Sequence, residues 1–211
     1  MAGTNKATSG PGRGRARVRT VAATDYLDRV TLVRVAADLA DEAGWSKLTL
    51  SAVAKAVDRH VTSLYAHVDS LAALRREVAL LATEELADAV WKAVLARTRE
   101  DALRAIATVY RSFSLDHPGR AAAILSIDYR NDPGFAATAE RLAEPVQATL
   151  RSFGLGEEQV HIAHRVFSAT VRGLTLAVHS DEHTPDPIRD ETFDQAIALF
   201  ATALASGAWP R

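Results

Sequence analysis

The sequence contains no cysteine among its 211 residues. This absence excludes a disulfide-stapled fold, a thiolate zinc site, an iron–sulfur cluster and a cysteine nucleophile. Long hydrophobic runs are also missing, because charged residues interrupt every apolar stretch before it reaches the length of a bilayer span, and no such run follows the N-terminal arginines. We therefore expect a cytoplasmic protein that does not enter a membrane.

Acidic residues are missing from the first twenty positions, although the whole chain is nearly neutral, with a net charge of −1. The basic residues there are Lys6, Arg13, Arg15, Arg17 and Arg19. A cationic, glycine-containing segment buries too little apolar surface to fold alone, yet it can neutralise phosphates. Residues 1–27 are predicted to be a basic flexible leader, with DNA contact and a merely solvated tail as the two alternatives.

The remaining chain has the pattern of an all-α protein. Its apolar residues recur at three-to-four spacing in nearly every segment, and no strand-like alternation of useful length appears. A first helix is predicted over about Asp28 to Ala43, ended by Gly44. Thr49 caps a short second helix, a turn at residues 58–60 leads to a short third helix near 61–67, and Ser70 caps a long fourth helix.

This succession of a long, two short and a long helix has the geometry of a helix-turn-helix unit on a scaffold. The third helix is too short to be stable alone, so it must pack through Leu64 and Val68 and leave its opposite face free for a major groove. That face carries polar and aromatic side chains suited to phosphates and base edges: His60, Thr62, Ser63 and Tyr65. On pattern alone, a plain structural role for this helix stays equally open.

Beyond residue 97 the helices become long, which predicts a second domain. Thr98 with Asp101 has the form of a capping box, and Asp132 followed by Pro133 has the form of another helix start. Pro145 is expected to bend the helix in which it lies. Further helices are predicted over about 98–115, 120–126, 132–153, 157–179 and 189–205.

Several motifs occur in the order and spacing of a known family. They are Gly44-Trp45, Leu48-Thr49-Leu50, Val53-Ala54 and Ser63-Leu64-Tyr65-Ala66-His67-Val68. Through them residues 28–80 resemble the N-terminal DNA-binding domain of the TetR/AcrR family of transcriptional regulators. The later motifs Asp101-Ala102-Leu103-Arg104, His117-Pro118-Gly119-Arg120, Asp132-Pro133 and Val171-Arg172-Gly173-Leu174 are similar to a TetR-type ligand-binding domain.

The resemblance implies a helix-turn-helix domain at 28–75 and an effector-binding and dimerisation domain at 76–211. It implies a homodimer that binds an inverted-repeat operator in double-stranded DNA and responds to a small-molecule effector, with repression favoured over activation. Neither enzyme activity nor a cofactor is expected. The candidate DNA contacts are Thr49, Arg59, His60, Thr62, Ser63, Tyr65 and His67, together with Arg13, Arg15, Arg17 and Arg19 of the leader.

The chain departs from the family pattern at the turn and at the start of the fourth helix. Asp58 stands where the family has a turn glycine, so we expect a left-handed φ there, which Asp tolerates at some cost. Leu71 replaces a frequent lysine that would meet a phosphate. Loss of that contact leaves the leader arginines as a possible compensation.

The resemblance also implies a pocket inside the C-terminal helices and a four-helix dimer interface built by the last two long helices. Aromatic walls with a few polar groups suit a small-molecule site. The candidate pocket residues are Tyr110, Phe113, Ile127, Tyr129, Phe135, His164, Phe167 and Val171, each of which also fits a plain core. The candidate interface residues are Val166, Gly173, Leu174, Phe193, Ile197, Phe200 and Leu204, with an ordinary monomer core as the alternative.

Two alternative functions remain open from the sequence. His161 and His164 lie one turn apart and His179 and His183 bracket the next loop, but no paired carboxylates accompany them, so no metal site is predicted. A metal-dependent hydrolase would use the first pair. A regulator-derived helical dimer without DNA binding is the other alternative, suggested by the unusual turn at Asp58 and Arg59.

Overall fold

The computed structural model describes residues 27–126, 132–180 and 186–209, and among them it contains α-helices, one short 3₁₀ helix and no β-strand. The helices are α1 (Arg29–Ala43), α2 (Leu50–Ala56), α3 (Val61–Leu64), α4 (Leu71–Val94), α5 (Arg99–Asp116), α6 (Pro118–Leu125), α7 (Pro133–Arg151), α8 (Glu157–Ser180) and α9 (Asp186–Ala205). The 3₁₀ helix (Trp45–Lys47) lies between α1 and α2. The predicted all-α fold is confirmed.

Side-chain caps begin several of the helices that the sequence predicted. Cap oxygens accept backbone N–H groups in three predicted pairs: Thr49 with Ala52 at 3.1 Å, Ser70 with Ala73 at 3.0 Å, and Asp132 with Phe135 at 3.1 Å. Each bond satisfies an N–H that a helix leaves unpaired in its first turn. These three predictions are confirmed.

The predicted capping box at Thr98 is wrong. Thr98 occupies the N-cap position of α5, but its side chain makes no cap hydrogen bond. The chain enters this helix through two left-handed residues, Ala96 with φ of 59° and Arg99 with φ of 48°, so the first turn lacks the geometry that a capping box requires. The next helix also begins earlier than predicted, at Pro118, because proline suits the first helical position.

Two hydrophobic cores organise the described helices. The N-terminal core is built mainly by α1 to α4, and its fully buried members include Leu32, Val53, Leu64, Leu74 and Phe135. The C-terminal core is built by α4 to α9, and its members include Leu86, Leu103, Ile106, Phe167 and Phe200. Leu74 and Val78 of α4 lie in the first core, whereas Leu86 and Val90 of the same helix lie in the second. Helix α4 therefore contributes to both cores, as do α6 through Ala123 and Ile124 and α7 through Phe135 and Leu142.

A second connection joins α6 to α1 and α4 through a group that we call the Arg120 cluster, formed by Arg120, His117, Asp38, Asp41 and Glu85. Arg120 donates to Asp41 from its backbone N–H at 2.8 Å and also from its guanidinium, and Nη2 donates to Asp38 at 2.7 Å. Its Nε lies 3.0 Å from Glu85 Oε2, an ion-pair contact without hydrogen-bond alignment. Burial lowers the pKa of Arg120, but the three carboxylates outweigh burial and hold this pKa above its ordinary value.

Candidate DNA-binding and effector sites

Helix α3 presents a polar surface because its apolar side chains all point to the N-terminal core. Leu64 is fully buried and Val68, just after the helix, is nearly so. The opposite side of the helix exposes Thr62, and Tyr65 is 55% exposed in spite of its aromatic ring. This arrangement is the one the sequence predicted, a short helix braced from behind with an open outer face.

The turn before α3 is held by backbone geometry. Asp58 has a φ of 51°, so the predicted left-handed conformation is confirmed. His60 is exposed at the N-cap position, where its carbonyl accepts hydrogen bonds from the N–H of Ser63 at 3.0 Å and from the Ser63 hydroxyl at 2.6 Å. Because that hydroxyl hydrogen is already donated, Ser63 is left with only its oxygen lone pairs to offer a nucleic acid.

Thr49 lies at the N-terminus of α2 on a loop that Arg75 holds in place. The Arg75 guanidinium donates to the Leu48 carbonyl at 3.0 Å and stacks over the Trp45 ring at 5.3 Å from its centroid. The Thr49 hydroxyl accepts the Ala52 N–H, which leaves its own hydrogen available for a phosphate oxygen. Arg75 is thus a positioning residue that sequence reasoning missed, since its partners lie 27 and more residues earlier in the chain.

The remaining predicted DNA contacts have different surroundings. Arg59 is half-buried, and its guanidinium donates to the Asp58 carbonyl at 3.1 Å. His67 is half-buried near Asp28, whose pKa is lowered first by hydrogen bonds from Thr31 and further by His67. The leader arginines Arg13, Arg15, Arg17 and Arg19 lie outside the described residues.

Helix α2 carries one further exposed cation that sequence reasoning did not select. Lys55 is exposed, and Ser51 one turn before it is exposed as well, whereas Val53 and Ala54 are buried. Residues four apart share one face of a helix. The same periodicity analysis that we applied to α3 would have identified this polar face of α2.

A cavity of about 200 Å³ lies among α4 to α8. Two predicted pocket residues, Tyr110 and Phe113 of α5, lie in its wall. The other wall residues are Leu86, Ser114, Pro118, Ala121, Ala122, Ile124, Leu125, Leu142, Arg172, Thr175 and Leu176. Most of this lining is apolar, and Arg172 is the one charged side chain among the described residues that form it.

The other predicted pocket residues are not in this wall. Phe135 is fully buried in the N-terminal core, and Phe167 and Val171 are buried in the C-terminal core. His164 is half-buried, and its pKa is lowered by burial first and then by the positive charge of Arg172 and by His161. Ile127 and Tyr129 lie outside the described residues.

The periodicity of helix α8 explains why the predicted residue Val171 does not line this cavity. It is apolar over most of its circumference, and a shift of one residue along a helix turns the side chain by about 100°. Val171 therefore points to the core, while its neighbour Arg172 and the following Thr175 and Leu176 face the cavity. The sequence did contain a signal for this cavity residue, because Arg172 is a basic residue next to Gly173 within an otherwise apolar helix.

The outer surfaces of α8 and α9 carry exposed apolar side chains, which we call the α8/α9 face. On α8 the exposed residues follow one helical stripe: Ile162, Val166, Ala169, Gly173 and Leu176. On α9, Ile188 and Leu199 are exposed as well. Of the predicted interface residues, Val166 and Gly173 lie on this face, and Leu174 beside it is half-buried.

The four predicted interface residues on α9 lie elsewhere. Phe193, Ile197, Phe200 and Leu204 are buried in the C-terminal core of the same protomer. Phe200 packs on the Phe167 ring with 5.4 Å between centroids, and Arg111 lies over the Phe193 ring at 4.9 Å. Because these side chains are already covered, the exposed part of α9 is the side that carries Ile188 and Leu199.

Two features are absent from the described part of the chain. Within it, no cluster of three or more histidine, cysteine or acidic side chains is arranged to hold a metal ion. No described helix combines the length and the hydropathy that crossing a membrane would need. His183 is outside the described residues, and the side chain of His179 is likewise not described.

Comparison with known proteins covers both halves of the chain. Residues 103–200 match the family model described as "Tetracyclin repressor-like, C-terminal domain". The HTH-type transcriptional regulator Rv0681 of Mycobacterium tuberculosis is 36% identical over 179 residues, which span 83% of this chain and 82% of that protein. At that identity and coverage, the similarity includes the helix-turn-helix unit as well as the C-terminal helices.

Solved structures share the fold at lower identity. A TetR structure from Acinetobacter baumannii in complex with minocycline is 19% identical, with a TM-score of 0.67, covering 88% of this chain and 100% of that chain. BioQ of Mycobacterium smegmatis is also 19% identical, with a TM-score of 0.63, covering 85% of this chain and 99% of that chain. BioQ has a further structure with its double-stranded DNA operator.

These findings agree with the exposed α3 and with the helical C-terminal half that encloses a cavity. The resemblance noted from the sequence motifs is confirmed, and the hydrolase alternative is excluded because the relatives are regulators and not enzymes. The chain belongs to the TetR family of DNA-binding transcriptional regulators.

Proposed function

We propose that this regulator is a repressor that binds an inverted-repeat operator as a homodimer and leaves it when a small molecule enters the cavity. The related fold of BioQ has been solved with a DNA operator and that of TetR with minocycline, which supports both halves of the proposal by analogy. Residues 28–75 would form the DNA-binding domain and residues 76–211 the effector and dimer domain, acting in the cytoplasm.

The proposed DNA surface is built around α3. Thr62 and Tyr65 would enter the major groove, and His60, Thr49 and His67 would contact the backbone on either side. Lys55 and the leader arginines would add contacts to phosphates, and Arg59 would stiffen the turn through its bond to the Asp58 carbonyl. Ser63 would act only as an acceptor.

The proposed dimer forms through the α8/α9 face. Helices from two protomers can pack closely where a glycine removes the side chain, and nothing lies within 4 Å of the position that a Cβ on Gly173 would take. A second copy of the same face would cover Ile162, Val166, Leu176 and Leu199 in a four-helix arrangement. A two-fold pair places two α3 helices at half-sites about one helical turn apart.

The observation that carries effector control is the position of α6. Ala121, Ala122 and Leu125 of this helix line the cavity, while Gly119 and Arg120 of the same helix contact α1 in the DNA-binding half. A Cβ at position 119 would overlap the backbone of Ala40 and Asp41, so the two helices are in direct backbone contact. An effector that favours a displaced α6 would therefore change the placement of α1 and α3 and lower DNA affinity by its preference for that state.

A selection of binding sequences from random duplex DNA, followed by mobility-shift titrations, tests this proposal. The selected site should be an inverted repeat, and affinity should fall steeply with salt. The double variant Thr62→Ala with Tyr65→Ala should lose specific binding, whereas Ser112→Ala, an exposed substitution on α5, should bind like the wild type. Failure to recover any enriched sequence would contradict operator binding and favour a helical dimer that acts without DNA.

A further inference from the structure

We propose that the cavity among α4 to α8 binds an apolar carboxylate, with the acidic head on the Arg172 guanidinium and the hydrocarbon or ring portion among the cavity walls. The inference rests on the proposed function, because it names the chemical class of the effector for that same site. It concerns binding only and involves no covalent step.

The walls favour a hydrocarbon body. Leu86, Phe113, Ile124 and Leu142 come from four different helices and surround the space with apolar surface. The volume of about 200 Å³ is below the range of about 300 to 1,000 Å³ that holds drug-sized ligands. The cavity therefore suits a medium-chain or single-ring molecule whose binding comes from burial of apolar surface.

Two of the wall hydroxyl groups, one on α5 and one on α8, are already used within the protein. The Ser114 hydroxyl donates to the Tyr110 carbonyl at 2.9 Å, and the Thr175 hydroxyl donates to the Val171 carbonyl at 2.7 Å. Neither hydroxyl keeps a hydrogen to donate to a ligand. A ligand group that must accept a hydrogen bond, such as a carbonyl or carboxylate oxygen, would thus find no donor in these two hydroxyls.

Arg172 supplies the hydrogen-bond donors that these two hydroxyls lack. Its side chain is exposed at the edge of the cavity, and it makes no ion pair with any described carboxylate. Its charge also acts on the neighbouring half-buried His164, because it adds to the effect of burial in lowering the pKa of that imidazole. Among the described residues, therefore, no carboxylate neutralises the positive charge of Arg172, which attracts an anion and repels an amine.

Calorimetric titration of the full-length protein tests the proposal without DNA. The ligands are straight-chain carboxylates from hexanoate to dodecanoate, with the alcohol and the primary amine of each chain length as neutral and cationic controls. At the best chain length, the carboxylate should bind about tenfold more tightly than the alcohol, the size expected for one charge-assisted hydrogen-bonded pair at a solvated edge. The amine should bind more weakly than the alcohol.

Variants of two arginines on α8 assign the contact. Arg172→Gln should reduce carboxylate affinity about tenfold, to that of the alcohol, and Arg172→Lys should retain part of it because the charge remains. Arg165→Gln removes an exposed arginine that does not line the cavity, so carboxylate affinity should not change. Circular dichroism establishes that each variant is folded.

Three outcomes would overturn the proposal: no carboxylate of the series binds, the alcohol binds as tightly as the carboxylate, or Arg172→Gln leaves carboxylate affinity unchanged. None of them depends on operator binding. Conversely, if DNA selection fails while the carboxylates bind through Arg172, the proposed regulatory function is wrong and the ligand class stands.

Discussion

Replacement of Arg120 by methionine tests whether the Arg120 cluster holds the two halves of the protein together. The Arg120 side chain is 8% exposed and its Asp41 partner 12%, whereas Asp38 and Glu85 are 47% and 40% exposed. Methionine keeps much of the side-chain volume and removes the charge. Asp41 then stays nearly buried, with the Arg120 backbone N–H and the His117 ring at 3.0 Å as its remaining partners.

The size of the stability loss in Arg120→Met follows from the burial of the ion pair. Removal of one partner from a buried ion pair costs about 3 to 5 kcal/mol, and an exposed pair contributes at most about 1 kcal/mol. Because Asp41 keeps two other partners and water reaches Asp38 and Glu85, we expect the low end, a loss of about 3 kcal/mol in the free energy of unfolding. For a chain of this length that loss lowers Tm by about 6 to 12 °C.

Urea denaturation at one fixed protein concentration measures this loss, with Arg104→Met as the control. Arg104 is exposed on α5, so its replacement should change the free energy of unfolding by less than about 0.5 kcal/mol. The double variant with Asp41→Asn should lose less than the sum of the two single variants, since both remove the same interaction. An Arg120→Met protein as stable as the control, or additive losses in the double variant, would refute the assignment of the cluster as a clamp between α6 and α1.

Three other predictions concern different parts of the fold. Gly119→Ala forces a Cβ into the backbone of α1 and should lower the free energy of unfolding by about 1 to 3 kcal/mol in the same assay, whereas Gly156→Ala, with its nearest contact at 3.8 Å, should change little. Burial holds the pKa of His164 below its usual 6.5, so the unfolded chain takes up this proton more readily than the folded one. As the pH drops through 6.5, the free energy of unfolding of the wild type should therefore fall more than that of His164→Gln. Equal losses in urea denaturation would contradict this prediction. Leu199→Glu should weaken the dimer in sedimentation velocity, and Leu95→Glu, at a site of similar exposure (67% against 70%) just after α4, should not.

Local features of the fold could be predicted because their causes lie within a few residues. The caps at Thr49, Ser70 and Asp132 each involve a side chain and an N–H three positions later. The left-handed φ at Asp58 was expected from the resemblance, because the family has a glycine at this turn position. The exposed face of α3 likewise follows from the position of Leu64 within four residues of helix.

The Arg120 cluster could not be predicted in the same way. Asp41 and Asp38 lie 79 and 82 residues before Arg120, and no local pattern pairs them. The motif His117-Pro118-Gly119-Arg120 was visible, but the reason for its glycine is the backbone of α1, which only the packed structure brings near. Arg75 escaped notice for the same reason, because its partners Trp45 and Leu48 belong to a different element.

The candidate sites were harder to predict than the fold, because the sequence of a helix that is apolar on several faces does not indicate which face packs in the core, lines the cavity or stays exposed. On α9, Phe193 and Phe200 suggested an interface, but they pack in the core and leave the more isolated Leu199 exposed. On α8 the same ambiguity led to the prediction of Val171, whereas its neighbour Arg172 lines the cavity. The prediction favoured aromatic residues and so omitted Arg172, the charged side chain among the described residues of the lining.

The contacts of α6 with α1 determine how large a free-energy preference an effector must have to displace α6. Because Gly119 places α6 against the backbone of α1, the two helices cannot slide past each other by small side-chain adjustments. A ligand against Ala121 or Leu125 therefore has two outcomes, either to fit the existing position of α6 or to favour another in which the contacts of the Arg120 cluster change together. A preference of about 1.4 kcal/mol for the second state already changes its population relative to the first about tenfold. Under the proposed function, an apolar carboxylate on Arg172 would have to supply only a preference of that size for a state in which α3 is also displaced.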